Sequence, residues 1–128
     1  MNVLVTGGTG YIGSHACVAL AAAGHQVTII DNLVNSRREV LDRITQICGQ
    51  RPLFHFGDVR NRELLRHVFE TSGIEAVFHF AGLKSVSESV AQPLHYYDCN
   101  VGGALTLCES MHEAAVRVLV FSSSATVY

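Results

Sequence analysis

Nine residues near the start, Val5 to Gly13 (VTGGTGYIG), carry the densest candidate chemistry in the chain. Gly8, Gly10 and Gly13 fit GxGxxG, and Gly7, Gly10 and Gly13 fit GxxGxxG. Either spacing makes a tight turn without Cβ atoms, so a diphosphate can come close to the backbone. A helix opening there adds free N–H groups and a positive dipole end. The same glycines would also serve a bare strand-to-helix turn. Asp31 lies 18 residues beyond Gly13 and closes an apolar run. A carboxylate there accepts hydrogen bonds from an adenosine ribose and repels a 2′-phosphate. Together they predict a dinucleotide site that takes NAD in preference to NADP. Arg37 and Arg38 argue the other way, but they also fit an exposed helix start.

Three further groups have the right types for the same crevice. Asp58, in FGDVRN, ends an apolar run and either accepts from an adenine amino group, caps the next helix, or does both. Lys84, in FAGLKS, is the only lysine against eight arginines. It is a compact charge suited to a phosphate or hydroxyl, or else a solvated surface residue. Ala81 and Gly82 before it allow close approach of a ligand. Asn100 either faces the crevice or lies on a helix surface. Ser122, Ser123 and Ser124 close the last apolar run; there a hydroxyl can donate to an oxygen that gains charge during reaction, or simply solvate and cap.

The elements that must position these groups follow from periodicity. Apolar runs predict strands at 2–6, 26–31, 53–58, 76–82 and 117–124. Between them lie helical patterns. The first carries Ile12, Ala16, Leu20 and Ala23 on one face and stops at Gly24. The second is capped by Ser36 and runs through Val40, Leu41, Ile44 and Ile47. The third spans Asn61 to Ser72 with Leu64, Leu65, Val68 and Phe69 inward, and a long one covers about Pro93 to Ala115. Strand–helix alternation at this spacing predicts an α/β fold, a doubly wound parallel sheet of order 3-2-1-4-5. The fifth strand would be an apolar edge carrying Val118, Val120 and Phe121. The 128 residues therefore read as one incomplete dinucleotide-binding domain, the front of a longer protein.

Composition narrows the class. Hydrophobic residues make up 48% and charged residues 16%, with a net charge of −2. That is globular, disfavours nucleic acid as a partner, and offers no run near the roughly 20 residues of a membrane span. No basic segment followed by an apolar one opens the chain, which predicts a cytoplasmic protein. Cys17, Cys48, Cys99 and Cys108 form no CxxC pair and the seven histidines are scattered. Reduced thiols and no metal site are expected.

VTGGTGYIGSH, IIDNLVNS, GDVRN, HFAGLKSVSESVAQPLHYYDCNV and FSSSATVY together resemble the UDP-glucose 4-epimerase family of the extended short-chain dehydrogenase/reductase superfamily. The likeness runs over the whole chain. It implies a tightly held NAD. Gly7, Gly10, Tyr11, Ile12 and Gly13 would hold the pyrophosphate, and Asp31, Asn32 and Ser36 the adenosine ribose and phosphate. Asp58 and Val59 would contact adenine. Phe80, Ala81, Gly82, Lys84 and Asn100 would line the cofactor further along. Lys84, Ser124 and Thr126 would meet a UDP-hexose, with Ser124 beside the sugar 4-hydroxyl. The implied reaction oxidises sugar C4 transiently and returns hydride to its other face. The family's base is the tyrosine of a Tyr-x-x-x-Lys pair; nothing follows Tyr128, so that pair, the uridine site and much of a homodimer contact would lie further on. The chain departs from bacterial members at Cys99, where they often carry asparagine. A dehydratase or decarboxylase of the same superfamily, or a non-catalytic NAD-binding module, are the competing expectations.

Overall fold

The computed structural model describes residues 1–33, 39–81 and 91–121. Its sheet has five parallel strands: β1 (Asn2–Thr6), β2 (Gln26–Asp31), β3 (Leu53–Phe56), β4 (Ala76–His79) and β5 (Val118–Phe121). They lie in the order β3-β2-β1-β4-β5 expected from the alternation of elements. β1 is central, pairing Val3 with Val27 on one side and with Ala76 on the other. Residues 3–6 are buried, the mark of a strand covered on both faces.

Successive side chains of β1 point to opposite faces and feed two cores. Val3 and Val5 pack with Cys17 of α1 (Tyr11–Ala22) and with Leu41 and Ile44 of α2 (Glu39–Cys48). Leu4 packs with Leu65, Val68 and Phe69 of α3 (Arg62–Ser72), and with Leu107 and Met111 of α5 (Gly103–Glu113). Before α5 the chain forms α4 (Pro93–Tyr97) and then a π-helical turn, Asp98–Gly102. Backbone angles stay helical through both joins, so Pro93 to Glu113 is one helical run with a widened turn inside it.

Several expectations need correction. α1 buries Gly13 and Cys17, while Ile12 and Ala23 are exposed; the true inner face is turned from the expected one. This helix is apolar nearly all round, so periodicity selects no face. The seating of Gly13 against the glycine turn sets the rotation instead. Ile47 is exposed and lines a groove of about 730 Å³ between α1 and α2, whereas Leu41 and Ile44 are buried. Leu64, half-buried, does pack against the same core as Leu65, Val68 and Phe69. α3 is capped by Asn61, whose side chain accepts from Leu64 N, so Asp58 is not its cap. β3 and β4 stop at Phe56 and His79, short of the expected ends. Gly24 does follow its helix as expected, with positive φ, and Gly73 closes α3 in the same way. Ser36, with Arg37 and Arg38, lies outside the described residues.

Candidate functional site

At the carboxyl end of β1 the chain turns through Gly7 and Gly10 into α1. Gly7 has φ +70°, and a Cβ there would sit 2.8 Å from Ala81 N and Phe80 C. Glycine at 7 thus lets two strand-end loops touch. Gly10 N donates to Gly7 O at 3.1 Å, and Ser14 N to Gly10 O at 2.8 Å. A Cβ on Gly13 would overlap Gly7 O. Gly10 caps α1 with no side-chain acceptor. The first-turn amides, those of Tyr11 and Ile12 among them, therefore point outward with no partner inside the helix. The Tyr11 side chain is 82% exposed and meets His15 edge-on, with ring centroids 4.8 Å apart.

Asp31, at the end of β2, is 9% exposed and clamps this turn. One carboxylate oxygen accepts from Thr9 N at 3.1 Å and Thr9 Oγ1 at 2.5 Å. The other accepts from Leu33 N at 2.8 Å, and Leu33 itself carries φ +61°. A bulky residue in that region is strained, and it sits where the crevice would need a sharp exit from the strand.

Past β3, Asp58 and Arg60 close on each other. Arg60 Nε and Nη2 donate to the two Asp58 oxygens at 3.0 and 2.8 Å, and Arg60 N adds 2.8 Å to Oδ1. Arg60's hydrogen bonds, with one from the Asn32 side chain, hold the Asp58 carboxyl below the usual carboxylate range. Arg60 Nη1 reaches Asp98 Oδ2 at 2.5 Å and so joins this turn to the π-helical turn. Its charge is correspondingly favoured. Val59 is buried in the core under α5, so only its backbone is free to meet a ligand.

The end of β4 is fixed by one hydroxyl. Thr6 Oγ1 accepts from Phe80 N and Ala81 N, both at 3.2 Å, and lies 2.6 Å from His79 Nδ1. The Phe80 amide is shared with the Thr6 carbonyl, which accepts from it at 2.9 Å. Thus Gly7, Gly10, Asp31, Asn32, Asp58, Phe80 and Ala81 gather at the carboxyl ends of β1–β4. That is where a doubly wound sheet opens its crevice. A helix N-terminus without a side-chain cap beside a buried carboxylate has the donors and acceptor that a dinucleotide's phosphates and first ribose need, so the residues fit that group.

Residues 3–128 match the model of the NAD dependent epimerase/dehydratase family. The chain belongs to this family. It is 58% identical over 127 residues to a UDP-glucose 4-epimerase of Neisseria meningitidis serogroup A, covering 99% of this chain and 38% of that protein. A Klebsiella pneumoniae protein of the same name is 55% identical over 128 residues, with all of this chain and 92% of that one covered. Among solved structures, the epimerase from Stenotrophomonas maltophila with bound NAD and formylated UDP-arabinopyranose superposes with TM-score 0.97 at 53% identity. The Bifidobacterium longum enzyme with NAD+ and UDP gives 0.96 at 45%. All of this chain is covered in both, and 38% of each of those chains.

Within this epimerase/dehydratase frame, Gly82, Lys84, Ser124, Thr126 and Ser36 lie outside the described residues. Asn100 is half-buried on the π-helical turn. Thr6, Thr9, Arg60 and Asp98 escaped the sequence reading. Thr9 sits inside the glycine motif as a variable position, and Arg60 is one arginine of eight. Only the spatial closeness of strand ends reveals them. Cys99 Sγ lies 3.8 Å from His95 Nε2, and burial pushes its thiol up.

Proposed function

We propose that this chain is the NAD-binding front part of an enzyme that interconverts UDP-glucose and UDP-galactose. The observation that carries this is the glycine turn locked to Asp31 through Thr9, in a chain of the epimerase/dehydratase family. NAD bound there would supply reversible hydride acceptance at sugar C4. The chain's own residues would hold and orient it. Amides of Tyr11 and Ile12 face the diphosphate, with Gly7, Gly10 and Gly13 keeping the approach open. The free lone pair of Asp31 takes a ribose hydroxyl, with Asn32 and Ser36 beside it. Asp58 and the Val59 backbone receive adenine. Phe80, Ala81, Gly82, Lys84 and Asn100 continue toward the nicotinamide. Lys84, Ser124 and Thr126 would meet the UDP-hexose, with Ser124 donating to the oxygen at C4.

A role in galactose metabolism, a cytoplasmic setting and a homodimeric whole protein complete the proposal. The names of the relatives support the first. For the second, no helix among the described residues is long and apolar enough to cross a membrane. Titration of the chain with NAD and NADP, followed at the Tyr11 and Ile12 amides by NMR, tests the cofactor assignment. NAD should shift both amides and NADP should bind more weakly. Unmoved amides, or a preference for NADP, would overturn it.

A further inference from the structure

Arg60 ties the turn after β3 to the π-helical turn with charge. Its backbone and side chain occupy both oxygens of Asp58, while Nη1 binds Asp98, the first residue of the π-helical turn. The fit beneath is close. A Cβ on Gly103 would lie 3.0 Å from Val59 Cγ2 and 3.9 Å from Arg60 Cγ, and one on Gly102 would lie 3.2 Å from Asp98 Oδ1. Gly103 therefore lets the helical run lie against the Asp58–Arg60 turn just after its hydrogen-bond ladder is widened, and Gly102 leaves room for the Asp98 carboxylate. A widened turn is held less firmly by its own backbone than a regular one. Only a planar guanidinium can grip one carboxylate with two N–H groups and a second with another.

We propose that Arg60 is a positioning residue: it holds the Asp58 carboxylate as a fixed acceptor at the adenine end of the site and anchors the π-helical turn that carries Asn100. The first half rests on Asp58 meeting adenine, as proposed above. Both ion pairs are partly exposed, with side chains 30–66% accessible, so they contribute little to global stability. Their effect is geometric. Arg60 takes three of the Asp58 acceptor positions and the Asn32 side chain a fourth. An adenine amino group takes the Asn32 position and donates there, whereas the hypoxanthine oxygen at that place is repelled.

The experiment compares ADP with inosine diphosphate on the 128-residue chain, alongside amide hydrogen exchange at residues 98–103. The wild type should prefer ADP by about tenfold, as expected for a hydrogen bond to a charged acceptor. Arg60→Met and Arg60→Lys should bring that preference to within about twofold, and speed exchange in the π-helical turn, with the urea midpoint nearly unchanged. Asp98→Asn should speed exchange yet keep the preference for ADP. A lysine variant that matches wild type in both readouts overturns the proposal, as does an unchanged preference in Arg60→Met. A wild type that binds both nucleotides equally, or neither, removes the adenine assignment. Exchange then still decides the anchor: unchanged rates in Arg60→Met would sink it.

Discussion

Asp31 shows how one residue serves both fold and site. Three of its acceptor positions are taken by Thr9 N, Thr9 Oγ1 and Leu33 N, so the carboxylate is a structural clamp before any ligand arrives. Asp31→Ala removes three hydrogen bonds from a buried turn, which should lower unfolding free energy by about 1–3 kcal/mol in urea titrations. The same change should reduce NAD affinity, whereas Thr9→Val should cost mainly stability. Equal stability of Asp31→Ala and wild type would remove the clamp. Cys17 gives a second test. Burial first, then the charges of Cys48 and Asp31, push its thiol up to about 12. Below its ordinary value near 9 both folded and unfolded thiols are neutral, and nothing is lost. Between there and 12 the unfolded thiol ionises while the folded one does not, so stability falls as pH rises, by about 1.4 kcal/mol per pH unit from this group. Urea midpoints at pH 8.5 and 10 should therefore diverge more in wild type than in Cys17→Ala. The opposite ordering would mean that Cys17 is not shielded.

At the scale of elements, the glycine turn is the most demanding piece of backbone. Gly7 combines positive φ with backbone contact on Phe80 and Ala81, and Gly13 rides on Gly7 O. Gly24 has positive φ but open space around it. Gly7→Ala and Gly13→Ala should each lower stability by more than about 2 kcal/mol, and Gly24→Ala by about 1 kcal/mol. Thermal unfolding of the three variants checks the ranking; a Gly24 variant worse than the other two would refute it. Element order and the glycine–Asp31 pairing were legible because each is a local pattern: an apolar run, a helix period, a turn composition. The sheet order followed from alternation alone. What stayed hidden depended on packing. Which face α1 buries is decided by Gly13 on Gly7, not by its all-round apolar sequence. Asn61 outcompeted Asp58 as the α3 cap because Arg60 had already engaged both Asp58 oxygens. The π-helical turn left no periodic trace, since Asp98–Gly102 reads as ordinary helix in the sequence. Arg60 and Asp98 are 38 residues apart, and no spacing rule pairs them.

The whole molecule is uneven in how well it covers its apolar surface. β1, β2 and β4 are sheathed on both faces, but Val118, Leu119, Val120 and Phe121 of β5 are 38–60% exposed at the end of the sheet. On the neighbouring helical run, Leu94, Tyr97, Val101 and Leu105 are exposed at helical spacing and form one stripe. An apolar strand at the end of a sheet and an exposed apolar helix stripe each invite pairing with another chain. The chain should therefore associate as concentration rises. Val120→Lys should suppress that association, because a charge on an edge strand opposes pairing. Light scattering and sedimentation of the two proteins across a concentration series measure the effect. A wild-type chain that stays monomeric throughout would mean that the edge is covered by something within these residues.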